Sequence, residues 1–260
     1  MPSDDALRYI KDTLGQMRNP VRLVVFTTES GCAQCPDVLD LARSIKSRST
    51  KIALEAYDFT MDRDKTEQYG ITLTPSVVVQ GAEGRSVTLC GEIEGIMLSL
   101  LLETILAASG GKAWFPDSIR KALKLLERDV HIQVFVDLDC SLCKPVAETA
   151  TGLAMESGLI HTEIITADDF PKLRDRYQIA TPPKTVFGGN LHLDGHVSES
   201  TFLEMIFKAE GLRPMESVRR CAVCGASSAD IICTACKSKI QAEAVDHKRR
   251  DEKFKRAGAA

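Results

Sequence analysis

The chemistry of this sequence lies in its cysteines. Eight of the nine form four Cys-x-x-Cys pairs, Cys32/Cys35, Cys140/Cys143, Cys221/Cys224 and Cys233/Cys236, and Cys90 stands alone. Two thiols three residues apart can close a disulfide or share a metal ion, so the context has to decide. The first two pairs each follow a β-like apolar run, Val21–Thr27 or Val130–Val136, and each opens a helix-like one. A thiol attacks only as the thiolate, and the free N–H groups of a helix N-terminus help it ionise. Cys32 and Cys140 are therefore the expected nucleophiles. Cys35 and Cys143, one turn further on, are the expected resolving thiols of an attack, mixed-disulfide and resolution cycle. The competing assignment gathers these four cysteines around one zinc ion.

The other two pairs read differently. Cys221, Cys224, Cys233 and Cys236 form two knuckles with eight residues between them, and Gly225 allows a tight turn after the first. Two such knuckles supply four sulfurs to a tetrahedral ion. A closed structural zinc site is expected, with redox use and rubredoxin-like iron as alternatives. Cys90 reads as a small buried strand residue.

The elements that must position these groups occur twice. Cys32 and Cys140 are 108 residues apart, as are Tyr69 and Tyr177, and Pro75 and Pro183. In the first pass a helix is expected from Ser3 to Met17, capped by Ser3. The strand Val21–Thr27, the first Cys pair with a helix to about Ser49, the strand Ile52–Phe59 and a short helix from Asp62 to Tyr69 follow. Strands then lie at Ser76–Gln80 and Arg85–Cys90. A helix closes the pass, with a stripe of Leu98, Leu101, Leu102, Ile105 and Leu106. The second pass repeats that order from Pro116 to the helix around Phe202–Phe207, capped by Ser198 or Ser200. An internal repeat of this length, with strands and helices alternating before a closing hairpin and helix, predicts an α/β fold. Each unit should be a mixed four-stranded sheet with helices on both faces. The expected boundaries are 1–111 and 112–212, with a small four-cysteine metal-binding tail at 213–260 joined through Arg213-Pro214.

Composition narrows the function. With 33 Lys/Arg against 36 Asp/Glu the net charge is −3, which argues against nucleic acid binding over the whole surface. The stretch from Lys237 to Arg256 is a polar helix pattern with eight basic and four acidic residues, so RNA or a protein partner could dock there. Its single aromatic residue, Phe254, gives little for bases to stack on. The N-terminus has neither the basic region nor the apolar core of a secretory signal. The most apolar segment, Ile96–Ala108, is too short to span a bilayer. Both features, with thiols clustered in local pairs, predict a cytoplasmic protein.

Each repeat resembles a thioredoxin fold. The resemblance rests on the strand, the Cys pair and the stretches Tyr69-Gly-Ile-Thr-Leu-Thr-Pro75-Ser-Val-Val-Val and Tyr177-Gln-Ile-Ala-Thr-Pro-Pro183-Lys-Thr-Val-Phe. Two such units are similar to the prokaryotic protein disulfide oxidoreductases, or glutaredoxin-like domain proteins, over about residues 5–210. The resemblance implies cis peptide bonds before Pro75 and Pro183. It also implies a substrate-docking role for these prolines and for the residues before them, Thr74 and Pro182. Proline has no N–H, so the second site should lose half of that backbone clamp. Cys32 is then expected to take extended peptides more readily than Cys140. Thioredoxin's buried acid would fall six residues before the first cysteine, where Phe26 and Val134 stand; Glu29, Asp137 and Asp139 are substitute proton carriers.

The implied activity is reduction, formation or shuffling of protein disulfides, with a separate reductase as electron donor. The sequence has no flavin or nucleotide fingerprint of its own. Two alternatives accompany this reading. One is an electron relay, since the tandem arrangement also resembles the N-terminal domain of the flavoprotein that reduces alkyl hydroperoxide reductase. The other is a zinc-tailed adaptor whose main task is binding.

Overall fold

The computed structural model describes residues 4–81, 84–110, 115–211, 219–228 and 230–257. The expected Ser3 cap and the Arg213-Pro214 linker lie outside these residues. The first pass runs α1 (Asp4–Leu14), β1 (Val21–Thr27), α2 (Cys35–Ser47), β2 (Ile52–Asp58), α3 (Arg63–Gln68), β3 (Ser76–Gln80), β4 (Ser86–Cys90) and α4 (Gly95–Ala108). The second runs α5 (Asp117–Leu123), β5 (Val130–Val136), α6 (Cys143–Glu156), β6 (Ile160–Thr166), α7 (Pro171–Arg176), β7 (Lys184–Phe187), β8 (Leu191–Asp194) and α8 (Glu199–Ala209). A 3-10 turn at Ala167–Asp169 lies between β6 and α7. Ser198 caps α8 by accepting from the Thr201 N–H, which satisfies one of the free donors of the first turn. The tail adds β9 (Arg219–Arg220), β10 (Ser227–Ser228) and α9 (Thr234–Ala257).

The two expected sheets are one. All eight strands join in the order β2-β1-β3-β4-β6-β5-β7-β8. The joint is a parallel pairing of β4 with β6, from Val87↔Thr162 to Cys90↔Ile165. Each of those strands would otherwise be an open edge with unpaired backbone groups. The difference shows in burial. Most of β6 is buried, whereas its counterpart β2 has only Ile52 buried along its length. A strand inside a sheet covered on both faces should be apolar and buried in this way.

Strand alternation divides the core. Val21, Leu23 and Val25 of β1 and Ile132, Val134 and Val136 of β5 point to one face, under α1, α2, α4, α5, α6 and α8. Val24 and Phe26 point to the other face with Ile71, and Phe135 does so with Tyr177 and Ile179, beside the short helices α3 and α7. The α4 stripe is broader than the sequence pattern suggests. Met97, Leu100, Leu101, Leu102, Thr104 and Ile105 are all buried, because the helix packs against both α1 and α6.

The internal repeat also has a one-residue correction. Phe26 pairs with Ser76 and Phe135 with Lys184, so the structural counterpart of Phe26 is Phe135 and not Val134. The first strands are thus offset by 109 residues while the cysteines are offset by 108. The connecting loop has four residues in the first half, 28–31, and three in the second, 137–139.

Candidate functional site

Both N-terminal Cys pairs lie at the same end of the sheet. β1 and β5 run parallel to each other through the chain of pairings, and each delivers its loop and cysteines at its C-terminal end. Four strand spacings separate them, roughly 20 Å at about 4.8 Å each. That distance excludes direct exchange between the sites. It also excludes one zinc ion shared by the four cysteines.

In each pair the second cysteine is the first helical residue, and the first sits in the preceding loop rather than in the helix itself. Cys32 and Cys140 are partly exposed, and Cys35 and Cys143 are buried. Both pairs are closed as disulfides, Cys32–Cys35 and Cys140–Cys143. The Thr28 N–H points at Cys35 Sγ (3.5 Å), and the Cys143 N–H at Cys140 Sγ (3.1 Å). Such N–H groups favour a thiolate once the disulfide opens.

The prolines stand beside them. The Thr74–Pro75 and Pro182–Pro183 peptide bonds are both cis. Cys140 Sγ lies 3.9 Å from the Pro182 carbonyl oxygen. Thr74 is partly exposed, while Pro182 is buried. Behind the prolines, the Gly91 N–H donates to the Pro75 carbonyl and the Gly195 N–H to the Pro183 carbonyl. Aromatic rings support both loops: Phe26 meets Tyr69 with centroids 5.7 Å apart, and Phe135 meets Tyr177 at 5.5 Å.

Around this common frame the sites differ. At the first, Gln34 donates from Nε2 to Asp169 Oδ1 (2.9 Å), which belongs to the other half of the sheet. At the second, Leu142 occupies the corresponding place and is 63% exposed. Lys144, just after Cys143, pairs across the halves with Glu103 of α4 at 3.1 Å. Asp137, three residues before Cys140, has Oδ1 buried without a hydrogen-bond partner. Burial, and then the nearby Asp168 charge, raise its carboxyl above the usual range. Asp169 and Glu103 escaped the sequence reading because only the tertiary fold brings them to the sites. The Cys90 thiol is buried and accepts from Ser76 Oγ at 3.3 Å; burial, and then Glu163, push its pKa well up. It is a strand residue, as expected.

The tail gathers its four cysteines. Their sulfurs all lie within 4.8 Å of one another. A tetrahedral ion with bonds of about 2.3 Å sets its sulfurs about 3.8 Å apart, and Cys224 and Cys233 are at 3.7 Å. β9 and β10 pair on either side of the first knuckle, and Gly225 turns at φ +73°. Cys236 lies in the first turn of α9. Burial works against ionisation of Cys221, but N–H groups of Cys233, Cys224 and Val223 outweigh it and lower the thiol to about 6. Four sulfurs converging within 4.8 Å of one another fit a thiophilic metal ion. The tail is not a detached appendage. Lys237 reaches Glu204 of α8 (2.9 Å), Lys248 reaches Glu199, and Ser118 Oγ donates to Glu243 (2.6 Å). Ile232 and Ile240 are fully buried in the main core.

Comparisons with known proteins agree with this architecture. Residues 130–208 match the thioredoxin domain family. A protein disulfide oxidoreductase from Aeropyrum pernix is 28% identical, with 82% of this chain and 95% of that one covered and a TM-score of 0.75. A mutant form of the alkylhydroperoxide reductase AhpF from Enterococcus faecalis is 21% identical over 79% of this chain and 99% of that one, with a TM-score of 0.72. The NTD_N/C domain of AhpF from the same organism gives 20% identity over 79% and 100%, also at 0.72. No curated protein matches the sequence. Two thioredoxin-type sites on one continuous sheet, each with a closed dithiol pair, define a thioredoxin-fold oxidoreductase. Among the described residues no helix is long and apolar enough to cross a membrane.

Proposed function

We propose that this protein is a cytosolic dithiol–disulfide oxidoreductase that exchanges disulfides with protein substrates at both N-terminal Cys pairs. The observation that carries this reading is the same arrangement found twice: a partly exposed first cysteine, a buried second cysteine at a helix start and a cis-proline beside them. The Cys32 or Cys140 thiolate attacks a substrate disulfide, forms a mixed disulfide and releases one substrate thiolate. Cys35 or Cys143 then attacks its partner sulfur, closes the protein disulfide and releases the second substrate thiol. The substrate gains two electrons and two protons, and a separate reductase restores the dithiol. Thr74 with Pro75, and Pro182 with Pro183, would dock the substrate chain. The missing N–H of Pro182 makes the first site the better host for extended peptides. Asp137 serves the second site as proton acceptor.

The tail cysteines Cys221, Cys224, Cys233 and Cys236 would hold structural zinc, whose binding supplies folding energy to this short segment. The units of this reading are two thioredoxin-like domains, 1–111 and 112–212, and the tail, 213–260. A second reading, an electron relay between a reductase and a peroxidase-type partner, draws on the likeness in fold to the alkylhydroperoxide reductase AhpF.

Insulin reduction by dithiothreitol tests the main reading. The wild-type protein should accelerate it, the Cys32→Ser and Cys140→Ser variants should each keep one working site, and the double variant should fall to the uncatalysed rate. Acceleration that survives the double substitution would place the chemistry elsewhere. A wild-type protein that is inert with insulin, but oxidises NADPH when coupled to a thioredoxin reductase, would favour the relay.

A further inference from the structure

Asp169 does not belong to the half of the sheet that holds Cys32, yet it is built into that site. Its Oδ1 accepts from Gln34 Nε2 at 2.9 Å, between the two cysteines of the first pair. Its Oδ2 accepts from the Glu92 backbone N–H at 2.6 Å. Glu92 follows Gly91, whose own N–H donates to the Pro75 carbonyl. One carboxylate therefore ties the Cys-x-x-Cys loop to the segment after β4, and through the neighbouring Gly91 N–H that segment holds the cis-proline carbonyl. The chain makes room for it. Gly91 has φ +97°, and a Cβ there would lie 2.4 Å from Asp169 Oδ2. Thr166 Oγ1 donates to the Glu92 carbonyl at 3.3 Å and fixes the same corner from the same half as Asp169.

The second site has no such group among the described residues. Leu142 stands in place of Gln34, and a Cβ on Gly195, which bonds to the Pro183 carbonyl as Gly91 does to Pro75, would meet open space. The corner around Asp169 is also acidic. Burial, and then Glu94, Asp169 and Asp37, raise the Glu92 carboxyl above its usual range.

We propose that Asp169 is a positioning residue of the first redox site, supplied by the other half, that makes the Cys32–Cys35 pair more reducing than its own half alone would. A fixed negative charge beside the loop disfavours the Cys32 thiolate. That destabilises the dithiol form relative to the disulfide and lowers the tendency of the pair to be reduced. This inference rests on the reading of Cys32–Cys35 as a redox pair.

The test is equilibration with glutathione, in which two glutathione thiols become one glutathione disulfide as one protein disulfide is reduced. The first site is read in a Cys140→Ser/Cys143→Ser background and the second in a Cys32→Ser/Cys35→Ser background. Asp169→Asn removes the charge and keeps an acceptor for Gln34. It should shift the first site about fivefold toward the dithiol, about 20 mV for a two-electron couple, and lower the Cys32 thiol pKa. The second site should not move. Gln34→Leu, which loses the anchor but leaves the carboxylate, should shift the first site in the same direction by less. An Asp169→Asn protein whose first site stays within experimental error of wild type, or whose two sites shift together, would overturn the proposal. A wild-type first site that does not equilibrate with glutathione at all would overturn both this inference and the redox reading beneath it.

Discussion

Gln34 at the first dithiol site is held by an acid from the far half of the sheet, whereas Leu142 at the second points largely into solvent. The two sites share strand, cysteine spacing and cis-proline, so their chemistry has a common core. They differ in the residues that face an incoming partner. The first has a polar, braced rim. The second has an apolar side chain in the open, a buried unpartnered carboxylate oxygen at Asp137, and Lys144 paired with Glu103. The two halves share the Cys pairs and the cis-prolines and differ in the residues around them. Each half contributes one charged group to the neighbourhood of the other's cysteines.

This contrast can be tested at three levels. The largest effect should come from emptying the proposed metal site of the tail. Because α9 docks on α8, chelation or Cys233→Ser should unfold the tail and loosen only the second half. Metal-coupled folding of such segments is on the order of 10 kcal/mol. Hydrogen exchange should therefore rise sharply in α9 and α8 and stay unchanged in α2. Equal loosening of both halves would mean that the tail braces the whole sheet. Next is Asp137→Asn. The raised carboxyl ionises only above the usual carboxylate range, so proton uptake by Asp137, and with it the rate of the second site, should climb as pH rises through that region. The variant should be slower by about tenfold, below the usual range for acid–base catalysis because the side chain is partly exposed. Its profile should lose that climb, and the first site should keep its own. The smallest effect is expected from Leu142→Gln. Less apolar area would be covered on docking, which should raise KM for protein substrates at the second site by about threefold to fivefold with kcat unchanged. A change in kcat instead would make Leu142 part of the exchange step.

Much of this was legible in the sequence because the signals were local. The strands Val21–Thr27, Ser76–Gln80, Val130–Val136 and Lys184–Phe187 are apolar runs bounded by turn residues, and they fall where those runs predict. The knuckles of the tail follow from spacing alone. What could not be read was whatever depends on distant partners. The pairing of β4 with β6 leaves only a faint trace, the consecutive Ile164 and Ile165 in a strand that would otherwise alternate. The Asp169–Gln34 bond spans 135 residues and has no local pattern at all. The strand ranges read from the sequence already differ by 109 while the cysteines differ by 108, and the antiparallel partner strands confirm that a one-residue difference in loop length accounts for it.

The joint between β4 and β6 bears on how such a molecule can be taken apart. Separated at the middle of the chain, the first half would carry a naked β4 and the second a naked β6, each rich in buried apolar side chains. Such edges recruit any strand within reach. The β4–β6 pairing thus covers one edge of each half at once.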